Sequence, residues 1–237
     1  MKLSAGYILA ILENIVIIAT GIAGKKSANR KTGQMIQIWI LRSDMSPVDA
    51  VKTGADSAIC GTCPHRGDRS TGRKRSCYVN VGQAPDAVYR AFRRGSYPTL
   101  ALADYPQVFK GRAVRLGAYG DPAMIPPVLI EAICSLASKH TGYTHQWTRA
   151  EWLKPFVMAS CDSPADFVQA SHHGWRTFRV AASLAPLPSE ILCPSSNEAG
   201  NRTTCAKCGL CNGAGSAKNI FIPVHGSGKK NALVILQ

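Results

Sequence analysis

The sequence predicts an α/β fold, a partial or complete (β/α) barrel with a cysteine-rich metal-binding segment near its C-terminal end. Three observations lead there. Short apolar runs alternate with capped helical segments through the middle of the 237 residues, the pattern of a parallel sheet with helices packed outside it. Polar and sulfur-bearing residues follow those runs, as they do where strand ends gather at a barrel mouth. Finally, Cys193, Cys205, Cys208 and Cys211 stand in C-x11-C-x2-C-x2-C, within a segment at about 190–215. Thiolates at that spacing can converge on one soft metal centre, an iron–sulfur cluster or zinc.

In chain order, Ile8 to Leu12 and Ile15 to Ala19 come first, interrupted by Glu13 and Asn14. No uncharged span of about 18 residues is present there and Lys2 alone precedes the first run, so a membrane anchor or secretory leader is not expected. A short helix followed by a buried strand over 15–19 is the expectation, in a reducing cytoplasm. Met35 to Leu41 reads as a strand. Ser46-Pro47-Val48-Asp49 then supplies an N-cap serine, a first-turn proline and an acid three residues on, a device repeated at Ser163-Pro164-Ala165-Asp166. Helices are expected over about 85–94, ending at Gly95, and about 127–139, with Val128, Ile130, Ile133 and Leu136 available for packing. Strands are expected over 113–116, 142–144, 156–159, 177–180, 190–192 and 220–224. No fixed-period repeat or low-complexity linker divides the chain, which predicts one domain over 1–237. Gly-x-Gly-x-x-Gly and Walker A phosphate loops are both missing.

Seven of the nine cysteines fall in two groups, the second being Cys60-Gly-Thr-Cys63-Pro-His65-Arg with Ser76-Cys77-Tyr78. Disulfides are the competing use, but a chain of this length with 46% hydrophobic residues can bury a core without staples. The Cys193 group can close a four-ligand site. The Cys60 group offers three thiolates, so it takes His65 as a fourth ligand or leaves a metal position open, and an open position implies chemistry. Cys134 and Cys161 lack ligand spacing and read as buried small hydrophobes. Net charge is +14, much of it in Lys25, Lys26, Arg30 and Lys31, in Arg90, Arg93 and Arg94, and in Arg66, Arg69, Arg73, Lys74 and Arg75 beside the proposed metal. That last group is the candidate nucleic-acid-binding set, for a nucleic acid or nucleotide, on a loop that Gly67 and Gly72 would make mobile. A solvated basic surface is the plain alternative.

The stretch from Ser27 through Asn29, Lys31, Thr32 and Gly33, then a strand, a cysteine pair, Cys77-Tyr78 and Gly120-Asp121, resembles the phage-borne "gene product eighty-eight" type of protein. That family in turn resembles radical S-adenosylmethionine enzymes. The resemblance covers about 27–213 and implies a partial barrel, a 4Fe-4S cluster on Cys60, Cys63 and Cys77, an auxiliary metal site at the C-terminal cysteines, and host cytoplasm as location. The standard radical-enzyme motif is C-x3-C-x2-C, where this chain has C-x2-C-x13-C. On this reading Gly117, Tyr119, Gly120 and Asp121 are candidates for binding S-adenosylmethionine. Asp121, His145 and Asp162 are candidate catalytic groups, and Arg115 or Arg179 would bind carboxylate or phosphate. Two alternatives stay open: a non-catalytic, zinc-stabilised nucleic-acid-binding protein, and a metal-dependent nuclease using Asp121, His145 and Asp162, against which the soft thiolates speak.

Overall fold

Both apolar N-terminal runs are strands. β1 (Gly6–Leu12) and β2 (Ile15–Thr20) pair antiparallel in the computed structural model, which describes residues 3–24, 29, 31–213, 218–226 and 228–236. The helix expected over the first run is therefore corrected to a strand. Glu13 takes a φ of 43°, the left-handed conformation suited to a two-residue hairpin turn, and the interruption read as a helix boundary is that turn. Lys2, Lys25, Lys26, Ser27, Ala28 and Arg30 lie outside the described residues.

Next comes β3 (Ile36–Arg42), antiparallel to β2, with Ile36, Ile38, Ile40 and Leu41 fully buried. Each such side chain contributes about 1.5–3 kcal/mol by leaving water. Helices α1 (Pro47–Thr53), α2 (Ser57–Cys60), α3 (Ala84–Arg93) and α4 (Tyr105–Phe109) precede β4 (Ala113–Tyr119). From there α5 (Pro127–Leu136) leads to β5 (Lys139–Thr141), β6 (Tyr143–Thr144), β7 (Met158–Cys161), α6 (Pro164–His172), β8 (Thr177–Ala181) and β9 (Glu190–Leu192). Short α7 (Cys205–Cys208), β10 (Asn219–Pro223) and α8 (Lys229–Ile235) follow. The caps behave as the sequence predicts: Ser46 Oγ accepts from Asp49 N and Ser163 Oγ from Asp166 N, each at 3.1 Å. Helix α5 stops three residues early, because Ala137 turns extended and Lys139 is claimed by pairing with β4. Val128, expected to pack, is exposed.

The result is a mixed α/β fold with two five-stranded sheets, ordered β1-β2-β3-β4-β5 and β6-β7-β8-β10-β9. Every pairing in the second is parallel, and in the first β3, β4 and β5 are parallel beside the antiparallel hairpin. Only Gly142 separates β5 from β6. Its N–H donates to Cys211 O and its carbonyl accepts from Met158 N, both at 3.0 Å, and a Cβ there would stand 2.6 Å from Val157 Cγ1. One hydrophobic cluster draws on elements of both sheets, including Ile38 and Leu116 from one and Ala159 and Cys161 from the other. The carboxyl ends of β3, β4, β6 and β7 are followed by the Cys60 segment, Gly120-Asp121, His145 and Asp162 respectively. No described helix is long and apolar enough to cross a membrane.

Candidate metal and cofactor site

A cavity of about 380 Å³ opens at those strand ends, and Cys60, Cys63 and Cys77 all line it. Cys60 closes α2, and Cys63 starts the tight turn Pro64–Arg66. Cys77 returns to them because His65 O accepts from Ser76 N at 3.0 Å and from Cys77 N at 2.9 Å. Between these points the chain folds as a small hairpin, with an Asp68–Arg73 bridge. Gln146 braces the turn from β6, donating from Nε2 to Cys60 O at 3.2 Å and accepting from Thr62 Oγ1 at 3.0 Å.

Burial pushes the Cys60 thiol well above its usual range, and Cys63 and Cys77 push the same way; burial also raises Cys77. Burial thus disfavours the thiolate form at Cys60 and Cys77. A bound cation reverses this, since a coordinating thiol is deprotonated outright. Tetrahedral zinc with bonds of about 2.3 Å would bring its sulfurs to about 3.8 Å from one another. Among the described residues no group of three or more cysteines has its sulfurs all within 4.8 Å of one another. Cys60, Cys63 and Cys77 therefore share one cavity without closing on a single-ion site.

Gly117, Tyr119, Gly120 and Asp121 form the adjoining wall. Gly117 has a φ of 69°, and β4 bulges against β3 between the pairings Gln37–Arg115 and Trp39–Tyr119. Asp121 ties two strand ends together: Oδ1 accepts from Thr144 Oγ1 at 2.7 Å and Ala123 N at 3.0 Å, while Oδ2 accepts from His145 N at 2.9 Å. Burial raises its pKa, with those hydrogen bonds pulling the other way.

His145 also lines the cavity, whereas Asp162 stands behind it, bridging His145 and His65. Burial opposes a charge on His145, yet Cys63 and Asp162 outweigh it and hold the imidazole well above its ordinary pKa. Burial likewise opposes ionisation of Asp162, but the two histidines hold its carboxyl well below the usual carboxylate range.

All four C-terminal cysteines line a second, small cavity, joined to the first through Cys205 and Tyr143. Cys193 and Cys211 are buried, and Cys205 and Cys208 half-buried. Backbone bonds from Cys205 N to Lys31 O at 2.8 Å and from Ala206 N to Thr32 O at 3.0 Å dock the segment, and Thr204 caps α7. All nine cysteines are free thiols, with Cys161 in the core and Cys134 packed against it.

The basic set divides. Arg66 is spent on Asp56 Oδ1 at 3.0 Å and Arg75 on Val79 O at 3.1 Å, and Arg69 reaches Lys52 O. Arg73 and Lys74 are exposed. Arg115 lines the cavity and donates to Tyr78 Oη at 2.7 Å. Arg179, expected as an anion-binding group, is instead locked onto Glu190 at 2.6 Å. Sequence reasoning passed over Gln146 and Ser76, although each is the immediate neighbour of a residue it singled out. No family model, curated protein or solved structure matches the chain.

Proposed function

We propose that the protein is an iron–sulfur enzyme of the radical S-adenosylmethionine-like kind, phage-borne, acting on an anionic substrate. The observation that carries this reading is the convergence of Cys60, Cys63 and Cys77 on one cavity at the carboxyl ends of parallel strands, beside Gly117–Asp121 and His145. The single-residue link at Gly142, and a cavity lined from both sheets, support reading them as walls of one partial (β/α) barrel. A cluster bound there supplies one-electron reduction of the cofactor's carbon–sulfur bond. The chain's own residues have the other tasks. Cys60, Cys63 and Cys77 would hold the cluster. Gly117 and Gly120 let backbone approach a ligand closely, Lys31 and Arg115 face the cavity as cations for a carboxylate or phosphate, and His145 is placed to move a proton. The test is anaerobic incubation of iron-loaded protein with dithionite and S-adenosylmethionine. Formation of 5′-deoxyadenosine by the parent, at least about 100-fold slower in C63S, is expected. Iron-loaded parent that forms none would contradict the reading.

A second reading, a zinc-stabilised nucleic-acid-binding protein, is favoured by the net charge of +14 and by the exposed Arg73 and Lys74. On either reading, exposed cations that contact phosphates give salt-dependent affinity. Replacing Arg73 and Lys74 with glutamine is expected to flatten the slope of log K against log salt by about 0.7–0.9 per lost contact on single-stranded or duplex probes. Equal slopes would remove the hairpin from the binding surface.

A further inference from the structure

Beside the thiols stands a donor set of different chemistry. His65 Nε2 lies 2.9 Å from Asp162 Oδ1, and His145 Nε2 lies 3.2 Å from Asp162 Oδ2. The three residues offer ligand atoms within 4.8 Å of one another, the single such group of three or more among the described residues. The two rings meet edge to face at 66°, with centroids 5.5 Å apart, so their nitrogens converge without stacking.

One atom in this set is unsatisfied. His145 Nε2 is buried and has no hydrogen-bond partner beyond its 3.2 Å approach to Asp162 Oδ2. His65, by contrast, is braced from behind: its Nδ1 lies 2.7 Å from Ser76 Oγ, the outer contact that orients a metal-binding imidazole and directs Nε2 forward. Asp162 is fixed in turn by its own backbone, whose N–H donates to Asp166 Oδ2 at 3.0 Å at the start of α6.

We propose that His65, His145 and Asp162 form a mononuclear site for a divalent transition-metal ion, separate from the cysteine ligands. Two imidazoles and one carboxylate suit iron, manganese, cobalt or zinc better than magnesium or calcium, and three protein ligands leave coordination positions free. Both histidines line the cavity, the side from which a ligand would reach those positions. An oxygen donor of an anionic substrate is the class of ligand they would take. The assignment uses none of the seven clustered cysteines as ligands, although Cys63 interacts with His145.

Manganese(II) separates this set from the thiols, since thiolates are poor ligands for it and its free aqueous ion is read directly by electron paramagnetic resonance. Titration of chelator-stripped, full-length protein without sulfide is expected to show one bound manganese per chain. Affinity should fall at least tenfold in H145Q and D162N, and about tenfold in S76A, which removes only the outer hydroxyl. The C60S/C77S protein, which leaves Cys63 beside His145 in place, should bind as the parent does. H65Q serves where thermal melting shows that D162N has not folded. No binding by the parent, parental affinity in both H145Q and H65Q, or loss confined to the cysteine variant would overturn the site.

Discussion

Replacing Glu190 with glutamine is expected to destabilise the protein by about 3–5 kcal/mol, because it leaves a buried guanidinium without its counter-charge. Glu190 and Arg179 sit on β9 and β8, which are not neighbours; β10 runs between them. Their side chains are 0% and 7% exposed, and the pair is bidentate, Nε to Oε1 at 2.8 Å and Nη2 to Oε2 at 2.6 Å. Arg179 also lies over the Phe221 ring of β10, 5.7 Å from its centroid, so the pair clamps three strands. Glu190 Oε2 further accepts from Leu187 N at 2.7 Å, which holds the incoming loop. The double variant R179M/E190L removes both charges and is expected to cost less than E190Q alone. Urea unfolding of the three proteins checks this, and an E190Q protein within about 1 kcal/mol of the parent would contradict it.

Alanine at Gly120 is expected to cost about 3 kcal/mol or more, from strain at a left-handed position together with overpacking. Gly120 has a φ of 84°, and an added Cβ would meet Ile40 Cβ at 2.6 Å and Ile40 O at 2.8 Å. Ile40 is fully buried in β3 and has no room to give. Relief would have to come from the loop, which shifts Asp121 and with it the hydrogen bond to His145 N. Gly95 provides the control: its φ is 70°, but nothing lies within 4 Å of a Cβ there. G95A should therefore show strain alone, about 1–2 kcal/mol. Similar losses in both variants would mean that close packing at Gly120 is unimportant.

Much of this architecture was legible because its signals are local. Ser46 and Ser163 announce their helices through hydrogen bonds spanning three residues, and the strand at 190–192 lies where expected. Most middle strands were found within a few residues, since buried parallel strands read as short apolar runs, but the short polar β5 was missed. Boundaries moved where pairing overrode local preference: β4 extends to Tyr119 through a bulge that Gly117 permits. The N-terminal hairpin was missed because Glu13-Asn14 looks like an interruption until its turn geometry is known. At the site, the placement of Cys60, Asp121 and His145 at one end followed from strand order alone. Their pairings did not. His65 and Asp162 are 97 residues apart in sequence, and no periodicity links them. Arg179 shows the same limit in reverse, since an arginine on a strand gives no local sign that Glu190 will face it across β10.

Iron and acid-labile sulfide, counted after anaerobic reconstitution of the parent and of C60S/C63S/C77S, test the central claim most directly. Two cysteine cavities predict about four irons and four sulfides in each, so the triple variant should lose about half of both while keeping its C-terminal complement. C208S should lose the other half together with thermal stability, because four protein ligands make metal binding part of folding. Zinc without sulfide in the parent, or a triple variant with the parent's full iron, would contradict the account.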